Sequence, residues 1–152
     1  MLVYRICTEG EKIAITEDKG FDDTGVYCSY NPGLNTHNYY PGAKYLHFFK
    51  DYDSIFYLLV AEGDYLCTYD IPEWLLNNYA GEGFYLDRDN FKNPETAIEY
   101  AIPNCDLKFD YLEKIERITR YVDYQDYVEG NSEDGFETIY EKGQKVKGKK
   151  LD

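Results

Sequence analysis

Three polar residues, Arg5, His47 and Glu99, stand in apolar, strand-like stretches of the sequence and are the first candidates for chemistry. Arg5 lies within Leu2–Cys7, where it shares one face of the expected strand with apolar neighbours. An arginine there either extends its charged end to the sheet edge or stays partly buried to meet an anion. Glu99 lies in the alternating stretch Ala97–Ile102. It is either an outward-facing residue of that strand or a carboxylate able to stabilise a developing positive charge.

Metal ligation is the second chemistry to consider, because His37 and His47 are the two histidines of the chain. With Cys28 or a carboxylate they would supply ligands, but their spacing is unlike known ligand patterns, so we expect no metal site. His47 shares its side of the expected strand with Tyr45 and Phe49. That pattern also suits a histidine at the edge of the core with one hydrogen bond.

The four cysteines lie far apart and form no Cys-x-x-Cys pair; they are Cys7, Cys28, Cys67 and Cys105. Three of them stand in apolar, strand-like surroundings, which favours buried free thiols, with zinc ligation or disulfides as the alternatives. The sequence contains no phosphate-binding loop, dinucleotide fingerprint or nucleophile elbow. Nothing in the spacing pairs a cysteine nucleophile with a histidine base.

The composition is strongly acidic and rich in tyrosine: the 152-residue chain has a formal net charge of −13 and contains 18 tyrosines. A negative surface repels phosphate backbones, so direct nucleic-acid binding is not expected. The negative charge either keeps the protein soluble or attracts a protein partner with a basic face. Tyrosines suit half-buried strands and also binding surfaces. No stretch approaches the roughly 20 apolar residues of a membrane span, and the first residues lack a signal-peptide pattern. We therefore expect a cytoplasmic protein without membrane contact.

The stretch Lys44–Pro72 is the longest run able to form a continuous buried core, and it predicts a strand–helix–strand unit. The strands are Tyr45–Phe49 and Tyr65–Tyr69, joined by a helix of roughly ten residues that Asp51 or Asp53 caps. A helix of this length allows the two strands to lie parallel, although shorter helices also join antiparallel strands.

The flanking segments complete an α+β fold. Further strands are expected near Leu2, Phe84, Ala97 and Phe109. Short helices are expected after Thr8, whose spacing to Glu11 is that of a capping box, and from Pro72 as the first helical residue. The segment Phe109–Ile118 fits a helix or a strand, and its aromatic start favours the strand. Together these elements predict a bent, mostly antiparallel sheet with short helices packed on it.

We expect a single α+β domain at residues 1–120 and a C-terminal tail at residues 121–152. Residues 123–141 carry seven carboxylates and no lysine or arginine, and five lysines follow within residues 142–150. This distribution predicts a partly helical acidic segment and a frayed basic end. Beyond about Glu129, backbone amides should be poorly protected from hydrogen exchange.

Three short motifs follow one another along the chain: Tyr4-Arg5-Ile6, Asp70-Ile71-Pro72 and Glu99-Tyr100-Ala101-Ile102-Pro103. In this order they resemble the ADP-ribosyltransferase-like fold, including the RES-type NAD-degrading toxins, over about residues 2–118. The chain departs from the RES pattern in two ways. The central helix, at Ser54–Leu59, lacks the expected glutamate, and no Ser-Thr-Ser strand is found.

The resemblance implies NAD as a substrate, no metal, and either ADP-ribosyl transfer or NAD cleavage. Arg5 would pair with the NAD pyrophosphate or ribose, and Tyr45 or His47 would pack near the nicotinamide. Glu99 would stabilise the oxocarbenium-like ribose as the glycosidic bond breaks. This hypothesis requires Arg5, His47 and Glu99 to converge in one cleft.

The rival hypothesis is a non-catalytic acidic, tyrosine-rich protein that binds a protein partner with a basic surface. Such partners include proteins whose basic surfaces normally bind nucleic acid. The positions of Arg5, His47 and Glu99 distinguish the two hypotheses. The enzyme needs these three residues to act together in one cleft, so that hypothesis fails if they lie on separate surfaces.

Overall fold

The computed structural model describes residues 1–16, 44–57, 63–78, 80–82, 98–104 and 106–143. The strands in this part of the chain are β1 (Leu2–Cys7), β2 (Tyr45–Phe49), β3 (Tyr65–Asp70), β4 (Ala80–Glu82), β5 (Ile98–Pro103), β6 (Leu112–Ile118) and β7 (Phe136–Glu141). They form one sheet in the order β4-β5-β2-β1-β3-β6-β7, and every neighbouring pair is antiparallel. The α-helices among the described residues are α1 (Glu9–Thr16), α2 (Glu73–Asn77) and α3 (Tyr124–Val128).

β1 lies at the centre of the sheet, between β2 and β3. Its register with β3 runs without interruption from Leu2 opposite Asp70 to Cys7 opposite Tyr65. Because β1 is antiparallel to both neighbours, β2 and β3 point in the same direction without being paired to each other. The strand–helix–strand unit predicted at Lys44–Pro72 therefore contains two parallel strands with β1 between them.

The connection that leaves β2 begins as a 3₁₀ helix, Tyr52–Tyr57, and not as the predicted α-helix. The Ser54 N–H donates to the Asp51 carbonyl at 3.1 Å, which is the tighter hydrogen bond of that geometry. Aromatic residues fill this short segment, and their α-helix propensity is modest. The ring of Phe56 is buried against the sheet, so packing decides the local structure. Residues 58–62, in which the predicted helix continues, lie outside the described part.

Two helices begin close to the residues that the sequence indicated. α1 follows Thr8, whose Oγ1 accepts a hydrogen bond from the Glu11 N–H at 3.3 Å. The Glu11 carboxylate is bound by Arg5 instead of completing the capping box. α2 begins one residue later than expected: Pro72 is its N-cap, with an extended ψ of 138°, because the chain is still leaving β3 there.

The later strands lie near the alternating stretches that predicted them. β5 pairs with β2 on one side and β4 on the other. Within Phe109–Ile118 the structure has one 3₁₀ turn, Phe109–Tyr111, followed by β6, so the prediction of a strand is confirmed from Leu112 onwards. β4 comes earlier in the chain than the strand expected near Phe84, and residues 83–97 lie outside the described part.

The two faces of the sheet carry separate apolar clusters, and the alternation of β1 assigns its residues to them. Val3 and Cys7 join the first cluster, together with Leu75 and Leu76 of α2. Tyr4 and Ile6 pack against the second cluster, which also contains residues of the Tyr52–Tyr57 helix and is contacted by α3. Each face is therefore covered by different helices.

The sheet continues past residue 120, where the sequence predicts the end of the domain. β7 pairs with β6 along its length and forms one edge of the sheet. Phe136 packs against the second cluster, and Ile139 and Tyr140 pack against the first. These apolar contacts hold residues 136–141 against the rest of the sheet, so this part of the acidic segment belongs to the domain.

The described part of the chain has the α+β class that the sequence predicts, with an antiparallel sheet and short helices. The described helices are all too short and too polar to cross a membrane. The fold sets two distinct environments against the sheet, one on each face, and both contain residues of chemical interest.

Candidate functional site

Arg5 and His47, which the sequence suggests as partners in one site, place their side chains on opposite faces of the sheet. The Arg5 guanidinium lies over the Phe48 ring, 5.5 Å from its centroid. His47 and Phe48 are neighbours in β2, and neighbouring strand residues point to opposite faces. Nη1 of Arg5 donates to the His47 carbonyl at 3.2 Å, so Arg5 contacts the backbone of His47 and not its imidazole.

Arg5 is held by Glu11 in a two-pronged ion pair. Nη2 donates to Oε1 at 2.6 Å, and Nε donates to Oε2 at 3.1 Å. Arg5 is 3% exposed and Glu11 is 0% exposed. Burial on its own lowers the pKa of Arg5, but the Glu11 carboxylate, with smaller contributions from Cys7 and Tyr69, brings it above its ordinary value. The anion that Arg5 meets is therefore a carboxylate of the same chain.

The remaining predicted site residues, Tyr45 and Glu99, lie in β2 and β5. Tyr45 is fully buried in β2. Glu99 pairs through its backbone with Phe49 and Gly81, and its side chain lies outside the described part of the structure. Since Arg5 is buried and already bound to a carboxylate, neither it nor Tyr45 offers NAD a group to bind.

Cys7 and Cys67 lie beside the Arg5–Glu11 pair and are both free and buried. Their Sγ atoms are 2.8 Å apart, with one thiol donating to the other. Burial raises the pKa of Cys7 well above its usual range, and the neighbouring Cys67 and Glu11 raise it further, so its thiol is neutral. We call Arg5, Glu11, Cys7 and Cys67 the buried polar cluster.

Part of the buried polar cluster has the composition of a metal site. Cys7, Glu11 and Cys67 offer three ligand atoms that lie within 4.8 Å of one another. Thiolates and a carboxylate are donors that zinc accepts. Both Glu11 oxygens are bound by Arg5, however, so a metal ion would have to displace the guanidinium from them.

On the opposite face of the sheet, aromatic residues of the described part contact one another in a continuous group. Five of them are here called the aromatic cluster: Tyr4, Tyr52, Phe56, Tyr124 and Tyr127. The Phe56 and Tyr127 rings are stacked at 4.8 Å. Tyr52 meets Tyr4 and Phe56 edge to face at 5.4 and 5.5 Å. The four tyrosines are only half-buried, so parts of their rings face solvent.

α3 brings Tyr124 and Tyr127 into the aromatic cluster. Asp123 accepts a hydrogen bond from the Asp126 N–H at 2.9 Å, and Asp126 accepts one from the Asp123 N–H at 3.1 Å. This capping box fixes where the five-residue helix begins. Residues three apart lie on the same side of a helix, so both tyrosine rings point the same way.

Carboxylates lie near two tyrosines of the aromatic cluster, Tyr4 and Tyr52. The pKa of Tyr4 is raised by burial and by the negative charge of Asp51. Burial, followed by the charges of Glu116 and other groups including Glu133, raises the pKa of Tyr52 to about 12. The negative charges are therefore close enough for the phenols to sense them.

The arginine beside α3 offsets only part of this negative charge, because its single guanidinium faces two carboxylates. Nη2 and Nε of Arg120 donate to Asp134 at 2.5 and 3.1 Å, and Nη1 lies 3.5 Å from Asp126. The hydrogen bond to Asp134 is the main reason why the pKa of Arg120 is raised. Tyr121, which precedes α3, and Val128, the last residue of α3, are 54% and 50% exposed and add apolar surface.

The chain has no match among protein-family models, curated proteins or solved structures. Its function is therefore inferred from the two clusters. The buried polar cluster is closed to solvent, whereas the aromatic cluster reaches the surface.

Neither cluster follows from the sequence alone, and the reasons differ. The pairing of Cys7 with Cys67 depends on the register of β1 against β3, which no local pattern reveals. The aromatic cluster had a usable signal, because Tyr124 and Tyr127 are spaced for one helix face and follow a capping aspartate. That signal was obscured by the density of carboxylates, which is typical of solvated segments.

Proposed function

We propose that this chain is a non-catalytic binding protein whose aromatic cluster and surrounding carboxylates bind a basic surface of another protein. The observation that carries the proposal is the half-buried position of Tyr4, Tyr52, Tyr124 and Tyr127 within a field of negative charge. Half-buried tyrosines near carboxylates are complementary to arginine-rich surfaces.

The two kinds of group have separate roles in this proposal. The tyrosine faces attract guanidinium groups through cation–π contacts, worth about 0.5–2 kcal/mol each depending on desolvation. The carboxylates of Glu129 and Glu133 at the rim steer the partner and set its orientation. Both residues are exposed. Candidate partners of this face include proteins whose basic faces normally bind nucleic acid.

NAD cleavage, which the resemblance to ADP-ribosyltransferases implies, receives less support from the described residues. Arg5 is bound by Glu11, and His47 points to the other face of the sheet. We expect the purified full-length chain to release no nicotinamide from NAD, with or without cell lysate as acceptor. Release that Glu99→Gln abolishes in a folded variant would contradict the binding-protein proposal and favour the enzyme.

The binding proposal is tested by titrating the full-length chain with an arginine-rich peptide and with a lysine peptide of equal length and charge. Calorimetry should show tighter binding of the arginine peptide, because a guanidinium stacks on tyrosine better than an ammonium. Replacing Tyr124 by leucine should reduce this preference. Glu129→Gln with Glu133→Gln should weaken binding of the arginine peptide about tenfold at physiological ionic strength.

The matched control removes two exposed carboxylates away from the aromatic cluster. Glu73 is the first residue of α2, and Glu137 of β7 lies opposite Arg117 of β6. The variant Glu73→Gln with Glu137→Gln has the same net charge as the rim variant and should bind nearly as well as the parent chain. Equal weakening in both variants would show that binding follows total charge, and the proposed face would then be wrong.

A further inference from the structure

The two thiols of the buried polar cluster are arranged for a bond that the reduced chain does not contain. Cys7 lies opposite Tyr65, and Cys67 lies opposite Arg5, so the cysteines are diagonal neighbours on one face of β1 and β3. Their Sγ atoms are 2.8 Å apart, closer than ordinary contact between two sulfur atoms. A disulfide requires about 2.05 Å, so the sulfurs need approach each other by less than 1 Å.

We propose that Cys7 and Cys67 are a disulfide-forming site that covalently joins the two central strands, with a small-molecule disulfide as the oxidant. The bond would close a loop whose ends are 60 residues apart. This inference is independent of the proposed function, because the cysteines and the aromatic cluster lie on opposite faces of the sheet.

Zinc binding is the rival use of these sulfurs, and the geometry favours it less. Two tetrahedral ligands with Zn–S bonds of about 2.3 Å hold their sulfurs about 3.8 Å apart, so the thiols would have to separate by about 1 Å. A zinc ion would also need Glu11, whose two oxygens are bound by Arg5. A disulfide leaves that ion pair intact and places no new charge in the core.

The exchange reaction balances without any further reactant. The Cys7 thiol loses its proton, and the thiolate attacks one sulfur of the small disulfide, forming a mixed disulfide and releasing one small thiol. The Cys67 thiolate then attacks Sγ of Cys7, which forms the Cys7–Cys67 bond and releases the second small thiol. The two protein thiols are oxidised, the small disulfide is reduced, and both protons end on the released thiols.

The rate of exchange is set by access to the sulfurs. Cys7 and Cys67 are both 0% exposed, and the buried Glu11 and Lys12 show that α1 lies against this region. The thiol of Cys7 is also neutral in the closed structure, and only a thiolate attacks a disulfide. Exchange therefore requires transient opening, and once formed, the buried disulfide is protected from small thiols in the same way.

The test uses the full-length chain, reduced and then incubated with oxidised glutathione in dilute urea, which increases opening. Free thiols are blocked with N-ethylmaleimide at intervals, and the chain is digested and analysed by mass spectrometry. We expect a linked pair of peptides containing Cys7 and Cys67. We also expect the melting temperature of the oxidised chain to rise by about 10 °C, because the closed loop restricts the unfolded chain.

Two variants serve as controls. Cys28→Ser with Cys105→Ser should retain both the linked peptides and the shift in melting temperature, whereas Cys7→Ala should lose both while keeping its circular dichroism spectrum. The peptide map of the parent chain decides the question even where Cys7→Ala fails to fold. Free Cys7 and Cys67 after oxidation in urea, linkage to Cys28 or Cys105, or stoichiometric zinc bound through these thiols would each overturn the proposal.

Discussion

At the scale of single residues, the pairing of Arg5 with Glu11 explains how a charged side chain occupies the central strand. An arginine 3% exposed would be strongly destabilising without an anion, since water can no longer solvate its charge. Glu11 supplies that anion through two hydrogen bonds. A partly buried arginine that meets an anion is one of the two alternatives predicted for Arg5, whereas the spacing of Glu11 from Thr8 predicts a capping box. A local pattern does not reveal the contact between Arg5 and Glu11.

Removing the charge of Glu11 should therefore be costly. We expect Glu11→Gln to lower the free energy of unfolding by about 3 kcal/mol, because it leaves the Arg5 charge buried without a counter-charge. The matched variant Arg5→Met with Glu11→Leu replaces both charges by apolar groups and should remain within about 1 kcal/mol of the parent. Urea unfolding followed by circular dichroism measures both values. A small effect of Glu11→Gln alone would indicate that water reaches Arg5.

At the scale of elements, β7 shows how an acidic sequence can hide a strand. Phe136, Thr138 and Tyr140 alternate with other residues in the way a strand requires, but the segment is embedded among seven carboxylates. The high density of carboxylates predicts a solvated tail. The segment forms a strand because it pairs with β6 and buries a few apolar side chains. The central strands were easier to predict, because their apolar runs are long and have few charges.

Deleting β7 should damage the domain, although the sequence alone predicts a tail that is poorly protected from hydrogen exchange. A chain ending at Glu129 should melt at least about 10 °C below a chain ending at Gly143, because it loses the contacts of Phe136, Ile139 and Tyr140. Thermal unfolding by circular dichroism provides the comparison. Identical melting temperatures would mean that β7 contributes nothing to the stability of the sheet.

At the scale of the whole molecule, burial of tyrosine in a chain of net charge −13 lowers the stability of the folded state at alkaline pH. The pKa of Tyr52 is about 12 in the folded protein, compared with about 10 in an unfolded chain. Between these values the folded state holds a proton that the unfolded state has lost. Stability is therefore complete below about pH 10 and declines as the pH rises through this window.

Tyr52→Phe isolates this contribution. Between about pH 10 and 12 the melting temperature of the variant should fall less steeply than that of the parent, because phenylalanine carries no titrating proton. Tyr121→Phe is the matched control, since Tyr121 is 54% exposed, and it should follow the parent. Parallel curves for Tyr52→Phe and the parent would show that this phenol titrates normally.

The position of β1 has a consequence for the speed of folding. The residues that pair between β1 and β3 are separated along the chain by 58 positions, for Cys7 and Tyr65, to 68 positions, for Leu2 and Asp70, so the centre of the sheet cannot form from local contacts. Closing such a long loop costs entropy before any strand pairing rewards it. Chains dominated by non-local pairing fold in milliseconds to seconds, slower than helical bundles. While β1 is unpaired, the facing edges of β2 and β3 lack their partner strand, and unpaired strand edges favour association with other chains.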